Sequence, residues 1–300
     1  MSATGRNLDH HPVNPMGAYD TPQPLYRAIY RKALDLGLLT RTSPILEPHV
    51  GGGAALQVLI SEGHQGPIEV MDLDPTAPGL DLGRQLAALG WPITVDQAPE
   101  DPEAIAWATA QVEADGIPAH RRPLVVAGFL TRRPVLTGPE LVVLGNPPYS
   151  VTPGPETCPR CLGSGTVPAV HGRLAELPDA PRKCCPTCKP PKPPPGWEAT
   201  RGEGRIQPPA IRVADYHVHR GLQVARRVIY VLRGPFREGQ ERYRSLYAHG
   251  ALAEAWTSPR RASFAWGATD STETAVFTWD RERRPDPIDG PSYAGRWIEW

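Results

Sequence analysis

The segment ILEPHVGGG at residues 45–53 decides the fold, because a short apolar run, 44–46, is followed within a few residues by three consecutive glycines. The apolar segment 54–60 follows at once, so the pattern predicts a strand, a glycine turn and a helix. Glycine permits positive φ angles and a close approach of the backbone to a ligand. In open α/β sheets, ligands bind at the carboxyl ends of the strands. Turns of this kind also contain glycine for purely structural reasons, so the turn alone does not establish a binding site.

A second apolar run, 68–71, ends in Asp72-Leu73-Asp74-Pro75, about 25 residues after Glu47. An acid at the end of the second strand is placed to accept hydrogen bonds from ribose hydroxyls. The glycine turn lacks the G-x-G-x-x-G spacing of dinucleotide sites. The two segments together therefore favour a smaller ligand that contains adenosine.

Strands and helices alternate along most of the chain. The predicted helices cover 24–36, 54–60, 79–89, 103–113, 211–226 and 240–249, and the predicted strands cover 44–46, 68–71, 124–127, 141–144, 228–232, 262–266 and 274–279. Gly37 is placed to end the first helix, and the last two strands are expected to form a hairpin. Strands that are apolar on both faces belong in a parallel sheet covered by helices. The alternation therefore predicts an α/β fold with a doubly wound, mostly parallel sheet.

All five cysteines lie between residues 158 and 188. Cys158 and Cys161 form one C-x-x-C pair, and Cys185 and Cys188 form a second, which is the ligand set of a structural tetrahedral Zn²⁺ site. Cys184 breaks this spacing and is interpreted as a spare thiol. The surrounding segment 151–210 is rich in proline and glycine and lacks apolar periodicity, so it cannot bury a core by itself. We expect a small zinc-binding insertion that the metal folds.

Charge gives only indirect information about partners. The chain has 32 basic and 32 acidic residues, whereas a protein that grips a long stretch of nucleic acid usually has a basic excess. Arginines outnumber acids between 201 and 244, which indicates either a phosphate-contacting surface or a solvated helix face. No apolar run reaches the ~18 residues of a membrane span, and residues 1–17 lack the apolar core of a secretion signal. The expectation is a cytoplasmic protein.

The tetrapeptide Asn146-Pro147-Pro148-Tyr149 directly follows the fourth predicted apolar run. An exocyclic amino nitrogen is a poor nucleophile because its lone pair is delocalised into the ring. An Asn oxygen and a neighbouring carbonyl can accept both amino hydrogens and aim the restored lone pair at a methyl donor. Two prolines fix φ at successive residues, and Tyr149 offers a face for a flipped base. The other interpretation is a simple proline turn after a strand.

In this order behind Glu47 and Asp72, the tetrapeptide resembles that of the amino-methyltransferases, and among them the adenine-N6 DNA methyltransferases. YDTP at 19–22 is similar to their N-terminal motif, and 261–282 resembles the C-terminal hairpin of small phage-type members. The resemblance implies a Rossmann-like class I S-adenosylmethionine methyltransferase fold. It implies a discontinuous methyltransferase domain over 17–150 and 211–282, with a disordered N-terminus at 1–16, the insertion at 151–210 and a tail at 283–300.

The resemblance also implies roles for individual residues. The implied catalytic residues are Asn146, Pro147, Pro148 and Tyr149, and the implied S-adenosylmethionine-binding residues are Tyr19, Thr21, Pro22, Glu47, Pro48, Gly51, Gly53, Asp72, Leu73 and Phe129. Phe264 is a candidate wall of the base pocket or a core residue of the hairpin. In AGFL at 127–130, Gly128 stands where the family has an acid that meets the cofactor adenine. This departure implies weaker cofactor binding, a substitute residue elsewhere, or an inactive protein.

The expected function is transfer of a methyl group from S-adenosylmethionine to N6 of a flipped adenine in DNA, in a bacterial or phage-infected cell. Three alternatives remain within enzymes: cytosine N4, an RNA base and a protein glutamine as the acceptor. A fourth is a zinc-bearing nucleic-acid-binding relic without activity. The zinc module, with Arg160, Arg173, Arg182 and Lys183, is expected either to contact DNA or only to shape its loop and bind another protein. The sequence leaves the recognition site and the oligomeric state open.

Overall fold

The computed structural model describes residues 21–151, 211–237, 252–257, 274–282 and 296–297, together with four short strands between 156 and 206. The chain divides into two units, one formed by Met1–Gly17 with Val151–Ile211 and the other by Ala18–Ser150 with Arg212–Trp300. The N-terminus 1–16, the predicted helix 240–249 and most of the tail 283–300 lie outside the described residues. None of the described helices has the length and apolar character of a membrane span.

The larger unit is built on one eight-stranded sheet. Its strands are β1 (Ile45–Glu47), β2 (Ile68–Val70), β3 (Ile93–Val95), β4 (Val142–Gly145), β11 (Arg227–Arg233), β12 (Leu252–Thr257), β13 (Thr274–Asp280) and β14 (Arg296–Trp297). Their order across the sheet is β14-β12-β13-β11-β4-β1-β2-β3. The pairs from β3 to β11 are parallel, and β13 is antiparallel to both β11 and β12. The expectation of a doubly wound, mostly parallel sheet is confirmed.

Helices cover both faces of this sheet. They are α1 (Gln23–Asp35), α2 (Ala54–Ser61), α3 (Pro78–Ala88), α4 (Pro102–Ala114) and α5 (Ala214–Val224). Helices α1, α2 and α3 pack on one face, where Ile45, Val142 and Val231 are buried. Helix α5 packs on the other face, against Val228 and Tyr230. Alternate residues of the central strands therefore bury into two separate cores, as parallel strands covered on both sides require.

Two of the strand predictions are wrong. Residues 124–127 form no strand; Leu124 ends a 3-10 helix, Ala119–Leu124, and 125–127 connect it to a second one, Gly128–Thr131. The place beside β2 belongs to β3, whose three residues ITV follow Pro92 and are too short to stand out by periodicity. The predicted hairpin of 262–266 with 274–279 is also wrong in its pairing, because β13 has β11 on one side and β12 on the other. The residues 262–266 themselves lie outside the described part of the chain.

The smaller unit is described only through short strands. These are β6 (Glu156–Thr157), β7 (Thr166–Pro168), β8 (Arg182–Cys184) and β9 (Arg205–Ile206), with β5 (Ser150–Val151) and β10 (Ile211–Arg212) at its junctions with the larger unit. Strand β6 pairs with β9 and β7 with β8, both antiparallel. Cys184 lies in β8 opposite Thr166. The four predicted zinc ligands, Cys158, Cys161, Cys185 and Cys188, lie outside the described residues.

A buried ion pair fixes α5 beside the loop that follows β3. Arg220 Nη2 donates to Asp101 Oδ2 at 3.1 Å and to the Arg132 carbonyl oxygen at 2.7 Å. Asp101 also caps α4, since its Oδ1 accepts from the backbone N–H groups of Glu103 and Ala104. The side chains of Asp101 and Arg220 are only 9% and 7% exposed. When one partner of such a buried ion pair is removed, the other remains as a buried charge without its counter-ion.

We therefore expect Asp101→Ala to lower the free energy of unfolding by about 3–5 kcal/mol, because it strands the Arg220 guanidinium and removes a helix cap. Asp101→Asn keeps a side-chain oxygen that can cap α4, so its free energy of unfolding should fall less than that of Asp101→Ala. Glu103→Ala, an exposed acid in the same helical turn, is the control and should lose less than about 1 kcal/mol. Urea denaturation measures all three, and an Asp101→Ala loss no larger than the control would contradict this account.

Candidate functional site

The site is assembled at the carboxyl edge of the sheet, where neighbouring parallel strands end side by side. Strands β1 and β4 pair directly, with Ile45 opposite Val142 and Leu46 opposite Val143. The glycine turn after β1 and the tetrapeptide after β4 therefore leave the same edge of the sheet. This adjacency brings together two sequence motifs that are almost 100 residues apart along the chain.

Asp72 ties the end of β2 to the glycine turn. Its Oδ2 accepts from the Gly51 N–H at 2.8 Å, and its Oδ1 accepts from the Asp74 N–H at 2.9 Å. Each carboxylate oxygen has further lone-pair capacity, so both oxygens can still accept a hydroxyl hydrogen. Burial raises the pKa of Asp72, and the two backbone N–H groups oppose that shift. The sequence predicted Asp72 as a ligand-binding acid, and the structure adds its role in holding the turn.

Glu47, the last residue of β1, is a buried carboxyl group with one unsatisfied oxygen. Its exposure is 1%, and its Oε2 has no hydrogen-bond partner within the described residues. Burial raises the pKa of Glu47 well above its usual range, and the nearby charge of Asp72 raises it further. A buried polar group without a partner costs about 1–3 kcal/mol. The position is therefore suited to a cationic or hydrogen-donating ligand group, such as the ammonium of an amino acid.

Helix α3 closes tightly on the glycine turn. Gly51 and Gly53 have φ angles of 47° and 82°, which glycine adopts without strain. The Gly79 N–H donates to the Gly51 carbonyl oxygen at 2.7 Å. A Cβ atom at Gly79 would lie 2.8 Å from that oxygen and 2.9 Å from the Gly53 nitrogen. The start of α3 thus fixes the shape of the turn, a contact that the sequence did not predict.

Asn146 is anchored by the N-terminal motif. Its Nδ2 donates to Thr21 Oγ1 at 2.9 Å, across 125 residues of sequence. Thr21 is buried, and Pro22 directly after it is the N-cap residue of α1. Because the amide group is planar, fixing Nδ2 on Thr21 also fixes the direction of Oδ1. The resemblance assigned Thr21 to the cofactor, and the structure adds its contact with the predicted catalytic residue.

Tyr149 is held against the rim of the sheet. Its hydroxyl donates to the Val231 carbonyl oxygen at 3.5 Å, and its own carbonyl oxygen accepts from the Val213 N–H at 3.2 Å. The Arg233 guanidinium lies 5.1 Å from the centre of the ring, in cation–π geometry. One face of Tyr149 is therefore covered by Arg233, and a base that stacked on that face would have to displace the guanidinium.

The predicted cofactor residues near Asp72 differ in how deeply they are buried. Leu73 is 43% exposed and lies against Gly128, where a Cβ atom would be 3.3 Å from Leu73 Cδ1. Phe129 is buried and belongs to the second core. Its ring is stacked on that of His217, with an interplanar angle of 15° and centroids 6.2 Å apart. Pro48 is buried beside the glycine turn.

The acid after the third strand is Asp96, which sequence reasoning missed. It directly follows β3, has a φ of 47° and donates its N–H to the Val70 carbonyl oxygen. Its carboxylate forms an ion pair with Arg132. The assignment of that position to Gly128 followed from placing the third strand at 124–127. The signal that could have located it is the β-branched triplet ITV before an acid.

Four further features of the predicted site cannot be placed. Tyr19 and Phe264 lie outside the described residues, as do the cysteine pairs at 158–161 and 185–188. Among the residues that the structure does describe, no group of three His, Cys, Asp or Glu side chains is arranged to hold a metal ion.

Several solved structures are similar to this chain at low identity and with TM-scores below 0.5. A Listeria monocytogenes protein assigned to the class I S-adenosylmethionine-dependent methyltransferases matches at 9% identity with a TM-score of 0.48, over 96% of this chain and 67% of its own. A type I restriction-modification methyltransferase subunit from Streptococcus thermophilus matches at 16% identity with a TM-score of 0.46, over 88% of this chain and 45% of its own.

A Pyrococcus horikoshii protein assigned as an RNA methyltransferase matches at 9% identity with a TM-score of 0.45, over 90% and 91% of the two chains. No protein-family model and no curated protein matches the sequence. Seven strands of the sheet run in the order β3-β2-β1-β4-β11-β13-β12 with β13 antiparallel, and β14 is added beyond β12. This order is that of the Rossmann-like fold of the class I S-adenosylmethionine-dependent methyltransferases.

Proposed function

We propose that this protein transfers a methyl group from S-adenosylmethionine to the exocyclic N6 amino group of a flipped adenine in DNA. The observation that carries the proposal is the hydrogen bond from Asn146 Nδ2 to Thr21 Oγ1. It orients the amide of the tetrapeptide at the same sheet edge as the glycine turn. The bond fixes the plane of the amide and with it the direction from which Oδ1 would accept an amino hydrogen.

The residues at the turn fit S-adenosylmethionine. Glu47, buried with an unsatisfied oxygen, would hold the ammonium of its methionine part, and Asp72 would accept from the ribose hydroxyls. Gly51 and Gly53 let the backbone approach the ligand, and Leu73 offers apolar surface beside Asp72. When bound, S-adenosylmethionine supplies an electrophilic methyl group on a positively charged sulfur. Asp96 is proposed as the acid that the family carries after its third strand.

The protein's part in the transfer is orientation and electrostatics. Asn146 Oδ1 and a backbone carbonyl of the proline pair would each accept one amino hydrogen, which restores the nitrogen lone pair and aims it at the methyl group. The fixed φ angles of Pro147 and Pro148 hold that carbonyl in place. Tyr149 would stack on the extruded base once Arg233 has moved off its ring.

Adenine in DNA is favoured over other acceptors by the resemblance of the tetrapeptide and of the N-terminal motif at 19–22 to adenine-N6 DNA methyltransferases. The cysteine pairs are proposed to hold a structural Zn²⁺ that folds the insertion, which would lie next to Tyr149 along the chain. Cytosine N4, an RNA base and a protein glutamine are the competing acceptors.

Incubating the full chain with isotopically labelled S-adenosylmethionine and with DNA, RNA or protein would separate these acceptors. Digestion of the DNA to nucleosides should yield labelled N6-methyladenine. Label found only in RNA or protein would reject the DNA assignment. Failure of the chain to bind S-adenosylmethionine at all would reject the enzyme and favour a nucleic-acid-binding relic.

Asn146→Ala should lower the single-turnover rate by roughly 10²–10³-fold, the loss typical of a preorganised electrostatic contact. The dissociation constant for S-adenosylmethionine should change by no more than about threefold, because Asn146 acts on the acceptor. Gln85→Ala, an exposed amide on α3, is the control. Retention of most of the rate would refute the role of Asn146.

Thr21→Val should slow methylation by roughly fivefold, because one hydrogen bond of about 1 kcal/mol no longer orients Asn146. Thr21→Ser keeps the hydroxyl that accepts from Nδ2 and should retain most of the activity. Equal rates for the valine and serine variants would show that the bond does not matter for catalysis. The comparison requires rates at saturating cofactor, since Thr21 is also proposed to touch S-adenosylmethionine.

Gly79→Ala should weaken S-adenosylmethionine binding by roughly tenfold, or about 1.4 kcal/mol, because the new Cβ pushes against the backbone of the glycine turn. Gln85→Ala in the same helix again serves as the control. Calorimetric titration measures both dissociation constants. Wild-type affinity in Gly79→Ala would mean that the turn does not shape the cofactor site.

A further inference from the structure

Four rings form a compact group beneath the candidate site, and we call His49, Phe129, His217 and Tyr230 the histidine cluster. His49 Nε2 and His217 Nδ1 are 2.9 Å apart, with ring centroids 4.6 Å apart. Phe129 meets His49 edge-on and stacks on His217. Tyr230 meets His49 edge-on from β11. The sequence did not predict any of these contacts.

The cluster lies directly against the predicted catalytic segment. His49 belongs to the glycine turn, two residues after Glu47. A Cβ atom at Gly145, the residue just before Asn146, would lie 3.5 Å from His49 Nδ1. His49 therefore sits where the methyl-donor turn and the tetrapeptide meet.

The hydrogen-bond pattern assigns the tautomer of His49. Its Nδ1 is shut off from solvent and has no partner within the described residues. A buried N–H without an acceptor is rarer in proteins than a buried acceptor with an unused lone pair. The proton of His49 is therefore on Nε2, where it is donated to His217 Nδ1. His49 Nδ1 then carries a lone pair beside Gly145, the residue that precedes Asn146.

We propose that His49 Nδ1 accepts the proton that the amine releases on methylation, and that His217 is the positioning residue that fixes the His49 ring. The proposal rests on the proposed function, since it needs an amine held at Asn146. It assigns a base to the reaction, which the tetrapeptide by itself does not supply.

The step balances in atoms and charge. The amine lone pair forms the new N–C bond while the S–C bond breaks and its electrons return to sulfur, which loses its positive charge. The amine nitrogen now carries that charge, and one of its N–H bonds breaks. The proton adds to His49 Nδ1, and the resulting imidazolium keeps its Nε2–H bond to His217 Nδ1. Release of the proton to water restores neutral His49.

The protonation state of the cluster suits such an acceptor. Burial lowers the pKa of His49 well below 6.5, and His217 lowers it further. Burial also lowers the pKa of His217, to about 3. Both rings are therefore neutral near pH 7. A methylated exocyclic amine that carries a positive charge is far more acidic than an imidazolium, so even a weak base takes its proton. The other titratable groups nearby are Tyr230, whose pKa burial raises, and Glu47.

The first test is spectroscopic and needs no activity. Nitrogen-15 spectra of the histidine-labelled full chain should show His49 neutral at pH 7 and protonated on Nε2. His217→Leu removes the acceptor of that proton and should change the tautomer balance of His49, whereas His217→Asn supplies a carbonyl acceptor and should preserve it. A His49 ring protonated on Nδ1 in the wild type would overturn the proposal.

The second test is the pH dependence of single-turnover methylation. The wild-type rate should fall at acid pH, where His49 is protonated, along a limb with a midpoint below 6.5. His49→Gln should lose that limb and slow the reaction by roughly 10²-fold, with the S-adenosylmethionine dissociation constant within about threefold. His120→Gln, an exposed histidine, is the control and should leave rate and profile unchanged.

The outcomes separate the two proposals. A folded His49→Gln variant with the wild-type rate and profile would overturn the role of His49 and leave the methyltransferase intact. If Glu47→Gln, and not His49→Gln, lost the acid limb of the pH profile, the proton acceptor would be Glu47. That result would also overturn the role of His49. A wild-type chain that methylates none of the acceptors rejects the proposed function itself. If His49→Gln does not fold, the two His217 variants decide the question. A methylation rate near wild type in His217→Asn, together with a much lower rate in His217→Leu, supports the proposal. Equal rates in the two variants contradict the proposal.

Discussion

The hydrogen bond from the Gly51 N–H to the Asp72 carboxylate is the contact on which the site depends. It joins the turn after β1 to the end of β2, and the start of α3 presses on the same turn through Gly79. Three elements therefore fix one short piece of backbone. Because the conformation needs positive φ at Gly51 and Gly53, a chain with side chains at these positions would hold the turn only under strain.

Around that turn the protein retains buried polar groups that a purely structural core would avoid. Among the described residues, Glu47 Oε2 and His49 Nδ1 have no hydrogen-bond partner. Burial raises the pKa of Glu47 and lowers the pKa of His49, so each side chain favours its neutral form. Groups with perturbed pKa values cluster at functional sites, and both of these lie at the β1 end of the same turn.

The third strand illustrates how far local patterns reach. The run 124–127 is apolar enough for a strand, yet Pro123 precedes it and Gly128, with a φ of 57°, follows it. The edge position beside β2 goes instead to Ile93–Val95, a triplet without a readable period. The error placed Gly128, and not Asp96, after the third strand. Strand length and edge position are set by the neighbouring strand, which periodicity does not report.

The sequence by itself determined the alternation of strands and helices, the glycine turn, Asp72 and the tetrapeptide at 146–149, because each is a local pattern of residue types. Only the tertiary structure decided the strand order, the bond of Thr21 to Asn146, the cover of Arg233 over Tyr149 and the pairing of His49 with His217. These contacts join residues that are between 84 and 168 positions apart. Their geometry follows from which strands lie side by side in the sheet, and the local sequence does not determine that order.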